Sequence, residues 1–179
     1  MDNLEYLRGT IRSIPDWPEP GVVFRDVTTL LADAAALRVL ADTLAQRYLG
    51  QHIDRVAAID ARGLIVGTLI ARELNVGLVL LRKKGKLPHQ TLAESYSLEY
   101  GEATLEIHVD ACTGGERVLL VDDLIATGGT MLAGARLLKR LGAEVVECVA
   151  IIDLPDLGGA DRLRKEGLAV HALLEFSGR

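Results

Sequence analysis

Cysteine is scarce: the 179-residue chain has two, Cys112 and Cys148, and they form no CxxC pair. A disulfide scaffold and a zinc ribbon are thereby excluded, and both thiols read as reduced, with Cys148 in an apolar strand of the core. Aromatic side chains make up only 4%, too few for the stacking platforms that hold single-stranded nucleic acid. Basic excess is also lacking. Lys plus Arg is 20 against 25 Asp plus Glu, a formal charge of −5. This argues against nucleic acid as a partner, although a local basic patch for a small anion stays open. No apolar run approaches the roughly 18 residues of a membrane span. The opening Met-Asp-Asn-Leu-Glu has neither the basic nor the apolar region of a signal peptide. The expectation is a cytoplasmic protein with no membrane partner. His52, His89, His108 and His171 show no metal-ligand spacing. GxGxxG and GxxxxGK[ST] are absent, and no Ser/His/Asp or Cys/His arrangement stands out.

What is present is globular: 49% apolar and 25% charged residues. Length predicts one domain over 1–179. Residues 2–12 read as a short helix. Residues 13–29 hold three of the five prolines and are expected to be largely irregular. Asp33 reads as an N-cap, followed by Leu37, Leu40, Ala41, Leu44 and Tyr48 at helical spacing. Strands are then predicted at 55–60, 76–81, 116–122, 144–152 and 169–174. Helices are predicted at 64–74, after an Arg62-Gly63 turn, and at 129–141. Strands apolar on both faces that alternate with helices predict an α/β fold with a mostly parallel central sheet, covered on both sides.

One segment breaks this rhythm. Residues 82–88 (RKKGKLP) are basic. Beyond them 92–100 and 102–110, joined at Gly101, alternate apolar and polar residues as an antiparallel hairpin with one wet face does. An excursion of about thirty residues from a compact α/β unit is more often functional than structural, and a mobile flap over a site is expected here.

The chemistry concentrates in 118–131, VLLVDDLIATGGTM. An apolar strand ends in Asp122 and Asp123, a glycine turn follows, and a helix begins. Ligands of open α/β sheets sit at the carboxyl ends of strands. A helix start preceded by glycines offers several unpaired N–H groups and a favourable dipole to an anion. Thr127 and Thr130 can add hydroxyl donors. With no lysine in the turn, a terminal monophosphate fits better than a triphosphate. Two carboxylates beside a phosphate would repel it unless they face something else, and a vicinal diol is the natural partner. The local chemistry therefore spells a ribose 5-phosphate site. The bland alternative is a strand ending in solvated acids before an ordinary helix start.

The same stretch resembles the phosphoribosyl-diphosphate (PRPP) motif of type I phosphoribosyltransferases. Four further segments carry the resemblance to the adenine phosphoribosyltransferases: IPDWPEPGVVFRDVTTLL, the turn Asp60-Ala61-Arg62-Gly63, RKKGKLP and SYSLEYG. It extends nearly over the whole chain, through DLPDLGG at 153–159. By resemblance, residues 1–34 form an N-terminal hood with the base pocket, and 82–110 form the basic loop and flap hairpin. Asp122 and Asp123 would bind the ribose hydroxyls, and Ala126, Thr127, Gly128, Gly129 and Thr130 the 5-phosphate. Asp60, Ala61 and Arg62 would form the diphosphate turn, with a non-proline cis peptide before Ala61 and a catalytic role for Arg62. Arg82, Lys83, Lys84 and Lys86 supply charge for the departing diphosphate, and in the family a basic residue here reaches a neighbouring subunit, which implies a homodimer. The main chain of Val23 and Arg25 would read adenine, with Phe24 and Leu124 covering its two faces. Glu99 would accept a proton from purine N7, with Tyr100 beside it. Mg2+ would bind mainly through PRPP, with no direct protein ligand expected. The implied reaction joins adenine and PRPP into AMP and diphosphate. Two alternatives stay open: a PRPP-sensing binding protein without catalysis, and a transferase for another base. Each of these residues also has an ordinary structural reading as a salt bridge, a packing anchor or a solvated edge.

Overall fold

The computed structural model describes residues 2–97 and 101–178. The chain opens with α1 (Asn3–Thr10), whose first turn is capped by Asp2 accepting from the Leu4 N–H. Strands β1 (Arg12–Pro15) and β2 (Val23–Asp26) then pair antiparallel, with Ile14 opposite Phe24. The stretch expected to be irregular is therefore a two-stranded ribbon around a Pro-rich turn. Its prolines sit at the end of β1 and in the turn, where no ladder hydrogen bond is lost. Asp26 fastens the ribbon. Its carboxylate accepts from Arg12 Nη2 at 2.6 Å and from the Thr28 hydroxyl at 2.6 Å.

Two helices follow, α2 (Thr28–Ala32) and α3 (Ala34–Gln46). Asp33 caps α3 as expected, accepting from the N–H groups of Ala35 and Ala36 at 2.8 and 3.1 Å. The α/β body then runs β3 (Arg55–Ile59), α4 (Arg62–Leu74), β4 (Gly77–Lys83), β5 (Thr91–Ser97), β6 (Glu102–His108) and β7 (Arg117–Val121). It closes with β8 (Leu124–Ile125), α5 (Gly129–Arg140), β9 (Glu144–Asp153), a 3-10 turn at Pro155–Leu157, α6 (Gly159–Lys165) and β10 (Val170–Glu175).

Among the described residues the main sheet has eight strands, in the order β10-β9-β7-β3-β4-β6-β5, with β8 beside β9. From β10 to β4 the pairs are parallel. Period-two alternation sorts their side chains onto two cores. Val56, Leu119 and Val121 pack with α3 and α4, while Ala57, Ile59 and Leu120 pack with α5. After β3 the chain winds outward through β4, and after β7 it winds the other way through β9 and β10. The direction reverses between β3 and β7, and a crevice opens there at the strands' carboxyl ends.

Three sequence expectations need correction. The hairpin is not an excursion from the sheet. It continues the sheet, since β6 pairs antiparallel with the end of β4, Arg82 opposite Glu106 and Lys83 opposite Leu105. Its polar positions are not all wet either: Glu106 is buried and accepts from the Gly85 N–H at 2.9 Å. The helix after β3 begins at Arg62, without a separate turn. Cys112 and Cys148 are both buried free thiols.

Candidate active site

The crevice is lined by the ends of three strands and the start of two helices. β3 delivers Asp60, β4 delivers Lys83, and β7 delivers Asp122 and Asp123. Together with the loop Ala126–Thr130 they enclose a cavity of about 530 Å3. The Asp60–Ala61 peptide is cis, as expected.

Each carboxylate has a distinct environment. Asp123 is 6% exposed and accepts from Arg62 Nε at 2.5 Å. Asp60 accepts from Arg82 Nε at 3.2 Å. Asp122 has no guanidinium of its own, and its Oδ1 accepts the Asp123 N–H at 2.8 Å. Burial, together with the charge of Asp123, pushes the Asp122 carboxyl well above the usual carboxylate range. The pair is thus asymmetric, one acid held by a cation and the other held against its own ionisation.

The turn after β8 has the geometry of an anion-binding helix start. Gly128 has φ +77°, which lets the chain turn into α5 with the first N–H groups of that helix free of intrahelical partners. Thr127 is exposed to the cavity, and Gly129 and Thr130 begin the helix. A second cavity, of about 580 Å3, adjoins the first and shares Arg62, Leu124 and Thr127 with it. Its far wall is the N-terminal ribbon, with Val23, Phe24 and Arg25. The Phe24 ring lies 4.4 Å from that of Trp17 and 5.9 Å from the Arg62 guanidinium. The Arg25 side chain turns aside, donating to Ser13 Oγ at 2.6 Å and to the Ser177 carbonyl at 2.9 Å. Among the described residues β2 is paired on one edge only, by β1, which leaves main-chain groups on its other edge open.

Of the residues singled out from sequence, these cavities bring together the three turn residues 60–62, Lys83, the two aspartates, 126–130, Leu124 and Val23–Arg25. Arg82 lies just behind, tied to Asp60 and to the Lys86 carbonyl, at 3.4 Å from the latter. Lys86 sits in the turn after β4, outside the lining of both cavities. Glu99 and Tyr100 lie outside the described residues. Tyr96 on β5 and Ala103 on β6, which sequence reasoning passed over, line the first cavity. Leu154, Leu157 and Arg162 line the second. Leu154 and Leu157 lie in DLPDLGG, which carries the resemblance without pointing to a role for either. Arg162 sits in DRLRK, whose alternating charges look like any solvated helix face.

Comparison with known proteins points the same way. The phosphoribosyl transferase domain model matches residues 26–171. An adenine phosphoribosyltransferase of Cupriavidus metallidurans is 61% identical over 173 residues, 97% of this chain and 91% of that relative. The crystal structure of adenine phosphoribosyltransferase from Rhodothermus marinus superposes with a TM-score of 0.90 at 48% identity, covering 97% of this chain and 98% of that one. The Trypanosoma brucei enzyme in complex with AMP, pyrophosphate and ribose-5-phosphate gives a TM-score of 0.89 at 30% identity, covering 98% and 80%. This chain therefore belongs to the phosphoribosyltransferase family, and within it to the adenine phosphoribosyltransferases.

Proposed function

We propose that the protein transfers the 5-phosphoribosyl group of PRPP to N9 of adenine, releasing diphosphate and forming AMP. The observation that carries this reading is the pair of adjoining cavities with a shared wall. One carries Asp60, Asp122, Asp123, Arg62 and Lys83 and ends in a helix start suited to a phosphate, and the other is a slot with Phe24 in its wall, suited to a flat base. Their junction at Arg62 and Leu124 is where the sugar C1 and the base would meet.

In this reading Asp122 and Asp123 accept hydrogen bonds from the ribose hydroxyls, while the amides and hydroxyls of 126–130 take the 5-phosphate. Phe24 and Leu124 sandwich the purine, and the open main chain of Val23 and Arg25 reads its edge. Backbone groups suit that task because they cannot change charge. The C1–O bond loosens as the N9 lone pair approaches from the opposite face, and the bond pair leaves with the diphosphate. Arg62, Lys83 and the turn at 60–61 stabilise that leaving charge. Glu99 takes the proton released from purine N7, with Tyr100 beside it, and the hairpin excludes water. Mg2+ fits as an ion carried in by the substrate: Asp123 and Asp60 are already paired with arginines, which leaves few free protein oxygens. Bound there, it would neutralise diphosphate charge. A homodimer is part of the proposal, supported by Ile65 and Leu80, 45% and 39% exposed on α4 and on the strand beside it. So is a cytoplasmic setting. No helix among the described residues is long and apolar enough to cross a membrane.

The test is diphosphate release from PRPP with adenine, hypoxanthine, guanine or orotate as sole acceptor, in the native chain and in Asp123→Ala. Turnover with adenine alone is expected, and the variant should raise the KM for PRPP at least tenfold. Preference for another base, or an unchanged KM for PRPP, overturns the reading.

A further inference from the structure

The cradle at 126–130 contains no cation, yet a sugar 5-phosphate is close to a dianion at neutral pH. Amides and hydroxyls can bind it, but charge-assisted hydrogen bonds are roughly twice as strong. The arginines nearest the cavity are otherwise engaged: Arg62 with Asp123 and Arg82 with Asp60. Lys83 enters from the end of β4, on the Asp60 side.

α6 approaches the cradle from behind. A β-carbon on Gly159 would fall 2.2 Å from the Ala126 carbonyl oxygen and 2.7 Å from the Gly128 nitrogen, so α6 starts in direct contact with the loop. Three residues on, nearly a full helical turn, Arg162 projects along the same side. Its Nη1 lies 3.5 Å from the Thr127 carbonyl and 3.8 Å from where a β-carbon on Gly129 would be. The single contact at 3.5 Å is at the outer limit of a hydrogen bond. The neighbouring acid, Asp161, is taken by Arg164 at 3.0 Å. Arg162 is exposed, and it lines the second cavity, which adjoins the loop at Thr127.

We propose that Arg162 is a binding residue for the 5-phosphate, the cation that the loop itself lacks. This rests on the reaction proposed above and deepens it by assigning a residue outside the PRPP motif to that group. Its position also allows a different role, a contact to the base through the second cavity, and the experiment separates the two.

Calorimetric titration of the native chain, Arg162→Ala, Arg162→Gln and Arg162→Lys with AMP, ribose 5-phosphate and adenine tests the assignment. AMP and ribose 5-phosphate should bind about tenfold more weakly to the Ala and Gln variants, with adenine unchanged. The Lys variant should recover most of the loss, which a merely structural role would not predict. Unchanged affinity for AMP in both neutral variants overturns the proposal. So does an equal loss of adenine and AMP affinity, which would place Arg162 at the base. If the native chain binds neither AMP nor ribose 5-phosphate, the reaction itself is misassigned and the proposal falls with it.

Discussion

A β-carbon on Gly63 would stand 2.8 Å from Oδ1 of Asp122 and 2.9 Å from its Cα. The first turn of α4 is therefore pressed directly onto the strand end that carries the aspartate pair. Real β-carbons do not approach other atoms so closely, and the neighbour here is partly backbone, which cannot swing away. Gly63→Ala should shift Asp122 and with it the proposed diol site. The expected result is a KM for PRPP raised at least tenfold, with adenine affinity changed less than twofold, from steady-state kinetics and calorimetry. A variant with native PRPP kinetics would show that the strand end is free to yield.

Asp122 illustrates a site held at some cost to the fold. Burial first, and the charge of Asp123 second, raise its folded-state pKa above the unfolded value. The sign follows from linkage. Stability is full below the unfolded pKa and is lost as pH rises through the higher folded one, because the folded state then holds a carboxylate it disfavours. Asp122→Asn keeps an oxygen for the Asp123 N–H and removes the charge. Its Tm at pH 7 should exceed that of the native chain, and the difference should vanish near pH 3, while its KM for PRPP rises. A lower Tm at pH 7 would contradict this account.

Gly159 supports the loop at 126–130, the proposed phosphate site, from outside the motif. The 2.2 Å approach of its would-be β-carbon to the Ala126 carbonyl leaves no room for any side chain. Gly159→Ala should push α6 away from 126–128. AMP affinity is expected to fall at least tenfold, with a loss of Tm of several degrees, while adenine binding is retained. Unaltered AMP binding would mean that the loop keeps its shape without this support.

The contrast between these glycines shows what the sequence makes legible. The aspartate pair and the TGGT turn are read from local chemistry, because a strand, two acids and a helix start are contiguous. The parallel sheet is legible for the same reason: continuous apolar runs such as 56–59 admit few other fates. The second cavity is not legible in this way, because it joins a ribbon at residues 23–25 to α6 at residue 162, far apart in sequence and brought together only by the tertiary fold. The ribbon itself is masked by its prolines, which predict an irregular segment locally but sit at the end of β1 and in the turn. Glu106 reads locally as a wet hairpin position, because its partner, the Gly85 N–H, belongs to another loop.

Far from the site, at the opposite end of β9, lies a polar cluster whose removal separates stability from activity. Glu147 is 8% exposed. It accepts from Arg47 Nε and Nη2 at 2.7 and 2.8 Å, and from the Tyr48 hydroxyl at 2.6 Å. These bonds fasten the end of α3 to the sheet. Burial alone would raise the Glu147 pKa, but the hydrogen bonds from Arg47 and Tyr48 outweigh it and hold the carboxyl below its usual range. Its contribution to stability is therefore present above the unfolded value of 4.5 and is lost as pH falls through the lower folded value. Glu147→Gln preserves the shape and removes the charge. It should lower the unfolding free energy by about 1–2 kcal/mol at pH 7, toward the low end for a buried ion pair because Arg47 is half-exposed. The deficit should shrink below pH 4. Turnover at 25 °C should stay within twofold of native, since the cavities lie at the other end of the strands. Urea unfolding at pH 7 and pH 3.5, with kinetics on the same preparations, checks both halves. Equal stability at pH 7 would mean that desolvation of the pair cancels its attraction.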